Sequence, residues 1–291
     1  MTDMLTAATA PEEVDRLVAF IAGKVDPEPA LVLASGGLDS DVIARLTARA
    51  VGPERLRLVT ILQDDMNPTH LDNARELASD LGVGLVELDL RGIGLDVVYR
   101  LAAGDPEQRF DPKGLLDPAR MKCSLRTVVV SSYQDRGYVV LGTSNRTEAE
   151  LGFFLPFGDG VWHVGPIAHL YKTEVRLIAE QVGTRPHVLE QPPSAGFWHD
   201  QTDREDLGFW LVNRGPIQSE RDFSDAEVAE AAHYSAQLDE AAVDRLLKAI
   251  SEGGVTADTG LPADIAGMIA DIVKRSAVLK LRPLGSVLDR R

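Results

Sequence analysis

Apolar positions recur at helical spacing from Val14 through Leu17, Val18 and Ile21 to Val25, just after Pro11, and predict a first helix. Residues 30–34 (ALVLA) are uninterrupted apolar and read as a buried strand, 35–40 (SGGLDS) as a tight loop, and 41–50 as a helix. The alternation then repeats, with strands over 56–62, 83–90 and 138–141 and helices over 68–81 and, in part, 116–134. Strands alternating with helices predict an α/β fold, a doubly wound parallel sheet with helices on both faces. Periodicity is lost over 91–122, read as a substrate-side loop, and over 186–215, which is rich in Pro, Gly and aromatics (Phe197, Trp198, Trp210) and could cover a site. From Ser224, two or three helices follow, with Ser224 or Asp225 as the cap. No internal repeat is found, so the reading is one domain over 1–291, a core of about 26–215 with a helical C-terminal addition of about 222–291.

Charge and composition narrow the possibilities. The chain carries 30 Lys+Arg against 45 Asp+Glu, a net charge of −15, which lacks the basic face a nucleic-acid partner requires. A single cysteine, Cys123, excludes an intrachain disulfide and any multi-cysteine metal site, and reads as a packed structural residue. No apolar run approaches the ~20 residues of a membrane span. The first residues carry Asp3, Glu12, Glu13 and Asp15 instead of an export signal, so the expected compartment is the cytoplasm.

The strongest chemical signal is the strand–SGGLDS–helix run. Two adjacent glycines let backbone N–H groups turn inward as an anion nest, and the helix N-terminus adds its positive dipole end. Ser35 and Ser40 add hydroxyl donors, and no lysine follows as it would in a Walker A loop. Asp39 would repel a bare pyrophosphate, and makes sense as a ligand of Mg²⁺ bridging the phosphates.

SGGLDS resembles the signature loop of the ATP pyrophosphatases, which cleave ATP between the α and β phosphates and activate a substrate as its adenylate; the fold it implies is adenine nucleotide α-hydrolase-like. Further along, GTSNRTE (142–148), GFFLPFGDG (152–160), PIAHLYKTEV (166–175), QPPSAGFW (191–198) and QTDREDLG (201–208) resemble, in order and spacing, the ammonia-dependent NAD synthases. The resemblance spans about residues 30–210. It implies an ATP-binding set of Leu33, Ala34, Ser35, Gly36, Gly37, Leu38, Asp39, Ser40, Thr143, Lys172 and Ser194. Asp39 and Glu148 would be the metal ligands, Lys172 would pair with the phosphates, and Asp39, Lys172 and Glu148 together would form the catalytic set. Taken singly, Glu148 would read as an acid at a helix start, Lys172 as a surface lysine, Thr143 as a helix cap and the Pro192–Pro193 pair as a rigid turn.

The resemblance breaks at one kind of position. Ser124 stands where family members carry an arginine to deamido-NAD, and only the second arginine, Arg126, is kept. Pro156 and His163 replace the lysine and aspartate of the segment aligned with FLPFGDGVWH, and Leu279–Lys280 replaces His–Lys. The acyl pocket is therefore read as Ser124, Arg126, Pro156, His163 and Lys280, rebuilt for an acid other than deamido-NAD, with Arg120 a candidate substitute for the missing arginine. Each lost charge-assisted bond costs ~1.5–3 kcal/mol. The expected protein is an ATP- and Mg²⁺-dependent amide ligase acting on a small-molecule carboxylic acid and ammonia, the latter free or from a separate glutaminase, and the resemblance implies a homodimer. The alternative within the family is an authentic NAD synthase. A tRNA-modifying enzyme is disfavoured by the acidic charge and the lone cysteine, and a non-catalytic nucleotide binder by retention of Asp39, Glu148 and Lys172.

Overall fold

The structure, a computed structural model, describes residues 3–194, 196, 200–217, 219–254, 258–276 and 286–287. Six strands form one parallel sheet in the order β3-β2-β1-β4-β5-β6: β1 Ala30–Leu33, β2 Leu56–Leu62, β3 Leu85–Asp89, β4 Val139–Leu141, β5 Val164–Gly165 and β6 Ser286–Val287. Strand order reverses between β1 and β4, where Ala30 pairs with Leu56 on one side and Val139 on the other. Open α/β sheets bind ligands beyond the carboxyl ends of the strands at such a point.

Alternate residues of the central strands feed two apolar layers. Ala30, Val32 and Leu58 pack with α1 (Ala10–Val25), α2 (Leu38–Val51), α3 (Pro68–Leu81) and α7 (Lys172–Val182). Leu31, Val59 and Val140 face the other way, onto Trp162 and onto Val129 and Val130 of α5 (Leu116–Gln134). The sheet is thus covered on both faces, as the uninterrupted apolar character of β1 requires.

Several boundaries differ from the sequence reading. α2 begins at Leu38, so Asp39 and Ser40 lie in its first turn and not in a loop. The span 91–122 holds α4 (Ile93–Gly104) and the start of α5, which is helical throughout because Pro118 falls in its first turn, where no N–H is needed. α4 escaped notice because its glycines blur the apolar stripe; Gly94 packs against Lys122 and Leu125. The span 186–215 likewise holds α8 (Pro186–Leu189) and α9 (Asp203–Asn213), the latter capped by Thr202 and burying only Leu207, Gly208 and Leu211. Three strands are shorter than read, β3 by three residues and β1 and β4 by one each.

The C-terminal helices α10 (Asp225–Gln237), α11 (Glu240–Ser251) and α12 (Ala263–Ser276) build a third apolar cluster with α6 (Arg146–Leu151), Tyr171 and α9. Ser224 caps α10 in a capping box with Glu227. These helices therefore sit against the end of α6 and the start of α7. Among the described residues no helix is long and apolar enough to cross a membrane.

Candidate active site

The loop after β1 has its shape imposed by glycine. Gly36 has φ +81°, and a Cβ there would lie 1.9 Å from the His70 carbonyl oxygen. The two serines tie the turn internally. Ser40 Oγ donates to the Gly37 carbonyl at 2.9 Å, lies 3.1 Å from Ser35 Oγ and accepts from the Ser35 amide at 3.2 Å. α3 and the segment after α8 brace the loop from outside. Asn73 Nδ2 donates to the Gly36 carbonyl at 3.0 Å and to Gln191 Oε1 at 2.9 Å, and Gln191 in turn meets the His70 ring. Burial lowers the pKa of His70. Sequence reasoning missed His70, Asn73 and Gln191; the Pro–Gly character of 191–196 marked only that something covers the site.

Beyond β4, the chain turns into α6 through a capping box. The Glu148 amide donates to Asn145 Oδ1 at 3.0 Å, and the Asn145 amide to Glu148 Oε2 at 3.3 Å. The cap is Asn145, not Thr143, which lies just past the strand end. Glu148 is thus the helix-start acid it resembles in isolation, yet it does more. Asn145 Nδ2 also reaches Glu148 Oε1 at 2.8 Å and Asp39 Oδ1 at 3.5 Å, linking the two strand ends.

Lys172, the first residue of α7, is buried at 7% exposure, so it is no surface lysine. Its Nζ lies 2.5 Å from Asp39 Oδ2 and 3.8 Å from Glu148 Oε1. Burial alone would lower its pKa, but Asp39, Glu148 and nearby Asp203 outweigh burial and hold the ammonium above the ordinary lysine value. Glu148 is pushed the other way, well above the usual carboxylate range, by burial and by Asp39. Two hard carboxylates therefore converge on one cationic point. That donor chemistry fits Mg²⁺, which takes one or two carboxylates and completes its shell with phosphate and water. Among the described residues no group of three or more His, Cys, Asp or Glu is arranged to hold a metal without such help.

A cleft of about 60 Å³ opens beside the loop, lined among others by Leu33, Ala34, Ser35, Thr60, His70 and Arg126. The Thr60 hydroxyl is buried and has no hydrogen-bond partner in the described structure. Ser194 accepts from the Gly196 amide at 3.0 Å, and Gly196 lines the same cleft. The ATP-binding residues read from the sequence are thus brought to one edge of the sheet.

The acyl-pocket residues divide. Ser124 and Arg126 lie on α5, and the turn that carries Pro156 is seated on that helix: Thr127 Oγ1 donates to the Phe157 carbonyl, and Gly158 abuts Cys123 Sγ so closely that a Cβ would fall 2.4 Å from it. Arg126 and Asp159, both half-buried, flank the buried Cys123, with Arg126 Nη1 3.6 Å from Cys123 Sγ, which lies 3.8 Å from Asp159 Oδ1. Burial, with Asp159, pushes the Cys123 thiol up to about 12, as suits a packed residue and not a nucleophile. His163 departs from the reading. Its Nδ1 accepts from the Val140 amide at 2.9 Å, and its ring lies with Lys24, Glu28 and Gly137 at the amino edge of the sheet, opposite the loop. Arg120, also on α5, donates from Nη2 to the Ile217 carbonyl at 2.7 Å. Lys280, Phe197 and Trp198 lie outside the described residues.

Residues 13–253 match the model of the NAD synthase family. The chain belongs to the NAD synthase family. It is similar to the NH3-dependent NAD(+) synthetase of Methanocaldococcus jannaschii, 31% identical over 70% of this chain and 78% of that one, and to that of Pyrococcus horikoshii, 28% identical over 94% and 93%. Its fold is that of the NMN synthetase from Francisella tularensis (TM-score 0.68, 21% identity, 94% of this chain and 97% of that one). It is shared as well by the NH3-dependent NAD synthetase from Campylobacter jejuni (TM-score 0.66, 18% identity, 94% and 97%). Family membership makes the chain an ATP-dependent ligase forming carbon–nitrogen bonds.

Proposed function

We propose that the chain activates a small carboxylic acid other than deamido-NAD as its acyl-adenylate and amidates it with ammonia. The convergence of Asp39, Glu148 and Lys172 on one point at the switch of strand order carries the ATP half of this reading. The Gly36–Gly37 amides, the first turn of α2, Thr143 and Ser194 bind the nucleotide, and Thr60, whose buried hydroxyl has no partner among the described residues, lines the cleft beside the loop. Asp39 and Glu148 hold Mg²⁺, which when bound supplies positive charge to the phosphates. A substrate carboxylate oxygen attacks the α-phosphorus and pyrophosphate leaves. Lys172 offsets the charge gathering on that leaving group. Ammonia then attacks the acyl carbon, AMP departs, and the nitrogen loses a proton to give the amide.

The acyl half rests on chemistry lost. Ser124 and Pro156 present neither of the cations that would meet an anionic dinucleotide. Neighbours in the fold are named for NMN and for NAD synthesis, so the scaffold by itself does not choose the acid. A second reading, authentic NAD synthesis, is favoured by the names of the curated relatives. The deciding experiment is pyrophosphate release with ATP, Mg²⁺, ammonium and deamido-NAD as sole acid, with mass detection of NAD. No NAD is expected, and robust turnover would establish the second reading. Ser124→Arg with Pro156→Lys is expected to improve calorimetric affinity for deamido-NAD by at least tenfold.

The buried, strongly protonated thiol of Cys123 supports free ammonia or a separate glutaminase as nitrogen source. Exposed Ile93, Tyr99, Val128 and Phe157, on α4, α5 and the turn seated on α5, support a homodimer through that face. A cytoplasmic location follows from this reading of a small-molecule ligase with one unpaired thiol.

A further inference from the structure

α11 contributes one carboxylate to the opposite side of the catalytic cluster. Asp244 is fully buried. Its Oδ1 accepts from Thr147 Oγ1 at 2.6 Å, and its Oδ2 accepts from the Thr173 amide at 2.9 Å and from Thr173 Oγ1 at 2.8 Å. Thr147 Oγ1 in turn accepts from the Lys172 amide at 2.9 Å. Thr147 precedes Glu148 in the first turn of α6, and Thr173 follows Lys172 in the first turn of α7. The first amides of a helix have no partner within it, so the start of α7 depends on groups from elsewhere, and an anion there also meets the positive end of the helix.

We infer that Asp244 is a positioning residue which sets the spacing of Lys172 and Glu148 about Asp39, making the C-terminal helices part of the ATP-handling centre. The inference rests on the nucleotide reading above. Both threonine hydroxyls and one amide converge on the two oxygens of a single side chain, so neither helix start can shift without breaking a buried bond. Asp244 touches none of Asp39, Glu148 or Lys172 side chains; it acts through their neighbours in sequence.

The test compares two nucleotides on the full chain. Lys172 is assigned to the departing pyrophosphate, which AMP lacks, so misplacing it should weaken ATP and spare AMP. Binding of Mg²⁺·ATP and of AMP would be measured by calorimetry for wild type, Asp244→Asn and Asp244→Leu, with circular dichroism to establish folding. The Leu variant is expected to bind Mg²⁺·ATP at least tenfold more weakly and AMP within twofold of wild type. The Asn variant keeps one acceptor oxygen and is expected to fall between, and it decides the matter if the Leu variant does not fold. Equal weakening of both nucleotides, or of neither, would overturn the inference. Wild type binding neither nucleotide would instead overturn the nucleotide reading, and Asp244's role with it.

Discussion

Asp39 and Lys172 are held where neither is replaceable by a near neighbour in chemistry. Asp39 faces a buried ammonium at 2.5 Å on one oxygen and Asn145 on the other, so its charge and each of its oxygens have a partner. Asp39→Asn is expected to lower pyrophosphate release at least 100-fold while the melting temperature changes little; near-normal turnover would remove it from the metal-binding role. At Gly36 the constraint is steric. With φ +81° and a backbone carbonyl 1.9 Å from where Cβ would stand, Gly36→Ala is expected to cost at least 1–3 kcal/mol of stability, read as a lower melting temperature, together with nucleotide affinity. SGGLDS made this loop legible, because glycine pairs, serine hydroxyls and a helix start act locally. His70 and Asn73 were not legible: they reach the loop across 34 and 37 positions of sequence, and nothing in their own neighbourhoods signals it, whereas Gln191 stands in the QPPSAGFW run but its bonds to those two residues do not show there.

Elements with strong apolar periodicity were read closely from the sequence: β2 and α3 have the predicted limits, and the Pro at the start of α3 with Asn67 as its cap explains why. α4 and α9 were missed for opposite reasons. α4 is interrupted by glycines, whereas the start of α9 is crowded with acids, Asp203, Glu205 and Asp206, whose polarity hid a helix burying a narrow face. That acidic turn has a titration consequence. Burial raises Asp206 to about 7, although Gln201 donates to it at 2.8 Å, while in the unfolded chain it would titrate near its ordinary 3.8. The folded state is therefore penalised for the ionised form. The penalty is absent below about pH 4, grows between pH 4 and 7, and is constant above. Asp206→Asn keeps an acceptor for Gln201 and removes the charge. It is expected to stabilise the protein by about 2 kcal/mol at pH 8 and not at pH 4, as thermal melts at the two pH values would measure.

For the molecule as a whole, the alternation of strands and helices predicted the doubly wound sheet, but strand order was beyond the sequence, because the return from β3 to the β4 edge is set by which faces pack and not by any local pattern. The same limit applies to His163, which adjacency in a motif placed in the pocket and the parallel pairing of β4 with β5 carries to the far edge. Quaternary contact is a whole-molecule matter too. Val128 is 61% exposed and Tyr99 48%. Val128→Asp with Tyr99→Asp is expected to convert a dimer to a monomer in sedimentation velocity; a wild-type monomer would remove this face from consideration.

The ion pairing of Lys172 has a thermodynamic consequence. The Lys172 ammonium serves as counter-ion to Asp39 and Glu148, so part of their negative charge is offset before any ligand arrives. On the proposed reading, nucleotide entry would be an exchange of partners: phosphate would take the lysine, and the carboxylates would be left to the incoming divalent ion. Neither half is favourable alone, since phosphate without the metal would face two bared carboxylates, and the metal without phosphate would compete with a resident cation. Binding of the two is therefore strongly and reciprocally coupled. ATP affinity should rise steeply with magnesium concentration, and magnesium affinity should be low until ATP is present.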